Sequence, residues 1–254
     1  MSLTVDTAWI ALVLLASVRF GALFVLAPVF GGVPLPAQFR ALFVLAMAAT
    51  LVLALRLQPL QTAVEVVPLA LAALSELAIG AAMAFGLFTA FGAFQFAGKL
   101  LDLQIGFSIG TVFDPVTRAQ SPLLGAALNM LALVLFFALD GHHMMMRGVA
   151  YSLERVPPGS LPANWSLTPF VDQFGSMFVF GLVLVAPVVF ALLLVDVGLG
   201  IVSRTMPQLN VFTVGIPAKI VVGLLLLAAT LSALAPVMAR VFASVFSYWQ
   251  RLLN

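Results

Sequence analysis

The chain has 254 residues, of which 63% are hydrophobic and 8% charged, with a mean hydropathy of +1.21. A soluble domain carries about 45–50% apolar and about 25% charged residues, so this composition excludes a soluble enzyme and a disordered chain and points to a polytopic membrane protein. Eleven Lys and Arg against nine Asp and Glu leave a net charge of +2, too sparse to neutralise a nucleic-acid backbone, and the lack of cysteine removes disulfide and thiol chemistry.

A crossing helix needs about 20 apolar residues, which predicts six spans at 8–30, 37–55, 66–97, 123–139, 174–202 and 214–238. Residues 1–7 contain Asp6 but no Lys or Arg, and the first run exceeds the roughly 7–15 residues of a signal-peptide core. It reads as a retained membrane helix. Gly31-Gly32-Val33-Pro34-Leu35-Pro36 makes a tight connection, and Gln58-Pro59 breaks the chain before a short amphipathic stretch. A longer polar loop opens at Val156-Pro157-Pro158-Gly159 and ends near Pro169. No strand alternation appears, so the expected fold is all-α. Pro28, Pro68, Pro187, Pro217 and Pro236 lie in or near the apolar runs and invite kinks. Loop Lys and Arg divide five against four between the two sides, so charge bias does not set the orientation.

Within the third run, Ala82, Gly86, Ala90, Ala93 and Ala97 recur at spacings of three and four. Such a stripe lets helix backbones approach, either inside one bundle or against another subunit. The segment 100–122 is glycine-rich, β-branched and broken at Asp114-Pro115. Irregular backbone at membrane depth is tolerated only when buried in protein or lining a cavity. Arg19, Glu76, Asp196 and Lys219 are ionisable groups inside apolar runs, each a functional or structural pairing candidate. A proton-coupled small-solute carrier is the reading from another class that such groups suggest.

Two local patterns carry less. Gly106-Phe107-Ser108-Ile109-Gly110 matches the serine-hydrolase pattern, but the required strand before the serine is not predicted. His142-His143-Met144-Met145-Met146 offers soft ligands, yet helix neighbours point in different directions and no second cluster completes a copper site. No metal, cofactor or catalytic residue is expected.

The run Ser203-Arg204-Thr205-Met206-Pro207-Gln208-Leu209-Asn210-Val211-Phe212, followed by Val214-Gly215-Ile216-Pro217-Ala218-Lys219, resembles the signature of the FliR/SctT family of type III secretion export-gate proteins. Asp102-Leu103-Gln104-Ile105-Gly106-Phe107-Ser108 with Phe113-Asp114-Pro115 resembles that family's central loop. Asp140-Gly141-His142-His143 with Val156-Pro157-Pro158-Gly159, and Arg19, Ala27-Pro28 and Pro34, extend the resemblance over essentially the whole chain.

The resemblance implies a non-enzymatic subunit of the bacterial inner membrane, in the flagellar basal body or the related virulence injectisome. The Val214-Gly215-Ile216-Pro217 and Gly-His-His segments are more similar to the flagellar branch. The implied partners are several copies of FliP and FliQ, with FlhB and other export components, membrane lipid, and unfolded export substrates in transit. The implied architecture is one of kinked helical hairpins, with a FliP-like part over 1–167 and a FliQ-like hairpin over 168–254. The central loop, about 105–122, would plug the lumen with Phe107, Ile109, Val112 and Phe113.

A separate expectation comes from counting. Asp196 and Lys219 stand equally far from a turn centred between Pro207 and Gln208, so antiparallel helices would set them at one height. Each is alone in its apolar stretch, where an unpaired charge is costly. They are expected to form a structural ion pair, in the hairpin or with a neighbouring subunit.

Overall fold

The computed structural model describes residues 7–31, 36–57, 66–107, 122–160, 165–206 and 211–254. Among them the chain forms α1 (Thr7–Leu26), α2 (Pro28–Gly31), α3 (Ala37–Ala54), α4 (Val66–Ile105), α5 (Leu123–Ala138), α6 (Gly141–Arg155), α7 (Thr168–Thr205) and α8 (Val211–Leu253). No strand occurs among the described residues. A helix satisfies its own backbone donors and acceptors, which hydrocarbon demands of any lipid-facing segment. The protein is an all-α polytopic membrane protein.

Five helices are long and apolar enough to cross a bilayer, and the bent pair α5 and α6 supplies at most a sixth crossing. The expected spans at 66–97, 174–202 and 214–238 prove longer, as helices of 40, 38 and 43 residues. At about 1.5 Å per residue each measures roughly 55–65 Å, about twice a hydrocarbon core of about 30 Å. The first expected span breaks at Ala27, where Pro28 opens the short α2. Pro187 lies inside α7, and Pro217 and Pro236 inside α8; both helices continue through them.

Two compact units are present. One comprises Met1–Thr89, Asp140–Gln173 and Ser244–Asn254; the other comprises Ala90–Leu139 and Phe174–Ala243. In the first, α1 lies along α3, with the Phe24 ring 5.2 Å from Phe43 and 4.1 Å from Phe30. The last turns of α8 fasten onto α4. Tyr248 donates its hydroxyl to the Ala82 carbonyl and Trp249 its indole N–H to that of Met83, each at 2.9 Å. Gly86 lies under these rings, where a Cβ would stand 2.7 Å from Tyr248 Cδ1. In the second unit Phe91, Phe94 and Phe136 gather round Phe242, with ring centroids 5.6, 5.7 and 5.7 Å from it.

The centre of the first unit is polar. Arg19 of α1 and Glu76 of α4 are both fully buried. The guanidinium grips the carboxylate bidentately, Nε to Oε2 at 2.6 Å and Nη2 to Oε1 at 2.8 Å. The remaining donors reach the end of α6, with Nη1 2.8 Å from the Ser152 carbonyl and Nη2 3.0 Å from that of Val156. The Ser152 carbonyl also accepts the Val156 N–H at 2.9 Å, and a cation at a helix C-terminus is favoured by the helix dipole. Glu76 Oε1 also accepts the Gly159 N–H at 2.7 Å, and Gly159 adopts φ 88 to present it. One ion pair therefore joins α1, α4, α6 and the turn after α6.

Removing one member strands the other in an apolar interior, at a cost of about 3–5 kcal/mol. Arg19→Met and Glu76→Gln should each lower the thermal midpoint of the detergent-purified protein sharply. Arg19→Lys should not restore it, because an ammonium cannot span both the carboxylate and two carbonyls. An unchanged midpoint in Arg19→Met would contradict this role.

Candidate functional site

The segment implied to form a central loop leaves α4 and returns at α5, and its base is built in detail. α4 closes with the Gly106 N–H on the Asp102 carbonyl at 3.2 Å. Gly106 takes φ 97, a left-handed helix stop open to glycine. Phe107 follows, half-buried. On the return, Pro122 precedes α5 and offers no side-chain cap.

Asp102 supplies that cap from the neighbouring helix. Its Oδ1 accepts the Leu124 N–H and its Oδ2 the Gly125 N–H, both at 3.1 Å. The residue is 3% exposed. A buried carboxylate is expensive unless hydrogen-bonded, and a helix N-terminus provides both free N–H groups and favourable dipole charge. The helices also touch backbone to backbone. A Cβ on Gly98 would stand 2.6 Å from Gly125 N and 2.7 Å from the Leu124 carbonyl oxygen. Ile105 is accommodated by Gly223 of α8, where a Cβ would come within 2.7 Å of Ile105 Cδ1. The end of α4 and the start of α5 are thus fastened to each other.

Of the four residues assigned to a plug, Phe107 lies on the turn after α4, while Ile109, Val112 and Phe113 lie outside the described residues. The serine of the hydrolase-like pattern, Ser108, also lies outside them, and the element before it is helix rather than strand. The small residues Ala82, Gly86, Ala90, Ala93 and Ala97 are all buried within the chain itself.

The four ionisable groups of the apolar runs form two separate pairs. Arg19 and Glu76 meet inside the first unit. In the second, Lys219 Nζ lies 2.9 Å from both carboxylate oxygens of Asp196. That pair is nearer the surface, with Lys219 18% and Asp196 42% exposed. Around it α7 exposes Val197 and Ile201, and α8 exposes Val221 and Leu225.

The role of Asp102 is not evident from the sequence, where it appears only within the segment resembling the family's central loop. Its signal was a carboxylate in an otherwise apolar stretch, four residues before a helix-stopping glycine. Removing the carboxylate leaves two amides unsatisfied, at about 1–3 kcal/mol. In Asp102→Ala the Leu124 and Gly125 amides should exchange with solvent deuterium roughly 5–150-fold faster. Asp102→Asn, which keeps one acceptor, should fall between. Unchanged protection in the alanine variant would show that the carboxylate does not hold the base.

Residues 10–245 match the model of a family described as bacterial export proteins, family 1. The flagellar biosynthetic protein FliR of Bacillus subtilis (strain 168) is 35% identical over 244 residues, 94% of this chain and 93% of that protein. FliR of Escherichia coli (strain K12) is 33% identical over 69% of this chain and 67% of its own length. The Yop proteins translocation protein T of Yersinia pestis is 30% identical over 60% of this chain and 59% of its own. With a match along nearly the whole length, the chain belongs to family 1 of the bacterial export proteins, the FliR/SctT family.

Proposed function

We propose that the chain is a subunit of the flagellar type III secretion export gate in the bacterial inner membrane. There it joins several copies of FliP and FliQ, with FlhB alongside, to form the closed entrance of the protein-export channel. Unfolded substrates pass through it and no bond is made or broken. The observation that carries this reading is the nearly full-length likeness to a flagellar FliR. The flagellar assignment is preferred to the injectisome because the injectisome relative aligns over a shorter part of the chain.

The architecture supports a gate more than a solute carrier. Its apolar-run charges are committed to two separate pairs rather than converging on one site. Three helices of about twice the bilayer thickness suit an assembly that extends beyond the hydrocarbon layer. In this reading residues 1–167 act as the FliP-like part and 168–254 as the FliQ-like hairpin, whose Asp196–Lys219 pair is structural. The loop 105–122 hangs from its base and seals the lumen with Phe107, Ile109, Val112 and Phe113. An apolar constriction of this kind closes a pore by dewetting.

Affinity purification of the chain from its native membrane tests the assignment. Recovery of FliP and FliQ in stoichiometric amounts is expected. A chain that purifies alone under conditions that keep FliP with FliQ would overturn it.

A further inference from the structure

α6 begins in an unusual way. Asp140, the residue before its first turn, takes φ 55 in the left-handed region, and its carboxylate makes no cap hydrogen bond to the helix. Asp140 Oδ1 instead faces His143 Nδ1 at 3.2 Å. Successive residues on an α-helix point about 100° apart, yet the rings of His142 and His143 lie with centroids 4.1 Å apart and planes 38° from parallel. The expectation that these neighbours diverge therefore fails. Both side chains fold over the opening turn, and the ligand atoms of Asp140, His142 and His143 all lie within 4.8 Å of one another.

The geometry points to a binding site at the start of α6 for one borderline divalent cation of the zinc class, held by Asp140, His142 and His143. A carboxylate oxygen with two imidazole nitrogens is a ligand set suited to zinc and its neighbours. Metal–ligand bonds of about 2.0–2.2 Å place tetrahedral donors roughly 3.3–3.6 Å apart, so small side-chain rotations close the site. Asp140 and His143 are exposed and His142 half-buried, so the cluster opens to solvent on the Asp140 and His143 side. Of the adjoining methionines, Met145 is fully buried in the core and so is not a ligand to it. The negative Asp140 offsets the unfavourable meeting of a cation with a helix N-terminus. A bound ion would pin the left-handed turn at Asp140 onto the first turn of α6. The site is independent of the secretion assignment.

The test uses full-length protein without a histidine tag, stripped with chelator in detergent and titrated with Zn²⁺ by calorimetry. Co²⁺ then reports coordination geometry by absorption. One Zn²⁺ per chain is expected, with a tetrahedral Co²⁺ spectrum. Asp140→Asn, His142→Ala and His143→Ala should each weaken binding more than about tenfold. His143 is exposed, so its variant folds independently of the core. Absence of stoichiometric Zn²⁺ binding, or binding that survives all three substitutions unchanged, would overturn the proposal.

Discussion

The buried pair of Arg19 and Glu76 sets the terms for the first unit. Two charges withdrawn from water in an apolar interior cost more than their attraction returns unless every remaining donor and acceptor is used. Here the guanidinium engages the carboxylate twice and two carbonyls at the end of α6. The carboxylate in turn holds Gly159. Together these bonds tie α1 to α4, to the end of α6 and to the turn after it, so the pair favours one arrangement where apolar contacts alone would permit several. A helix packed only by leucines and alanines can rotate or slide; one that presents Arg19 to Glu76 cannot.

Asp102 applies the same chemistry to a helix end. Its carboxylate accepts hydrogen bonds from backbone amides at the start of α5. Glycines at 98 and 125 bring the two backbones close enough for that contact. In the proposed gate, that contact would make a stiff mount for the segment between the two helices. A loop that seals a pore must resist pressure from ions and water while its attachment stays still, and a base held by hydrogen bonds and backbone contact meets that need. The lipid-like exterior and the polar clasps divide the labour: apolar surface places the helices in a membrane, and a few buried charges fix their register.

How much of this was readable beforehand depends on whether a property is local. Composition determined the class, because too few charges remain to wet a globule. Helix identity followed from long apolar runs without alternation. The shared height of Asp196 and Lys219 followed from counting across one turn, and their side chains lie 2.9 Å apart. The partner of Arg19 was not readable: Glu76 is 57 positions away, and which faces meet is decided by packing. The anchoring of Tyr248 and Trp249 on α4 was equally hidden, since aromatic residues at a helix end suit a membrane interface as well as a core. The converging rings of His142 and His143 escaped a rule about the directions in which side chains leave a helix, because rotamers can bend long rings toward each other. Helix lengths were underestimated because the apolar runs end at polar and charged residues, whereas α4, α7 and α8 continue through that more mixed sequence.

We propose that this chain contributes the seal of a protein-export channel, and permeability tests that role most directly. The chain is replaced in cells by a variant with 108–121 shortened to a glycine-serine link, leaving Asp102, Gly98 and Gly125 to hold the base. Inner-membrane leakage of a small ion or dye is then followed. The variant is expected to assemble with its partners while the membrane becomes leaky. A well-expressed, assembled variant with normal impermeability would contradict it.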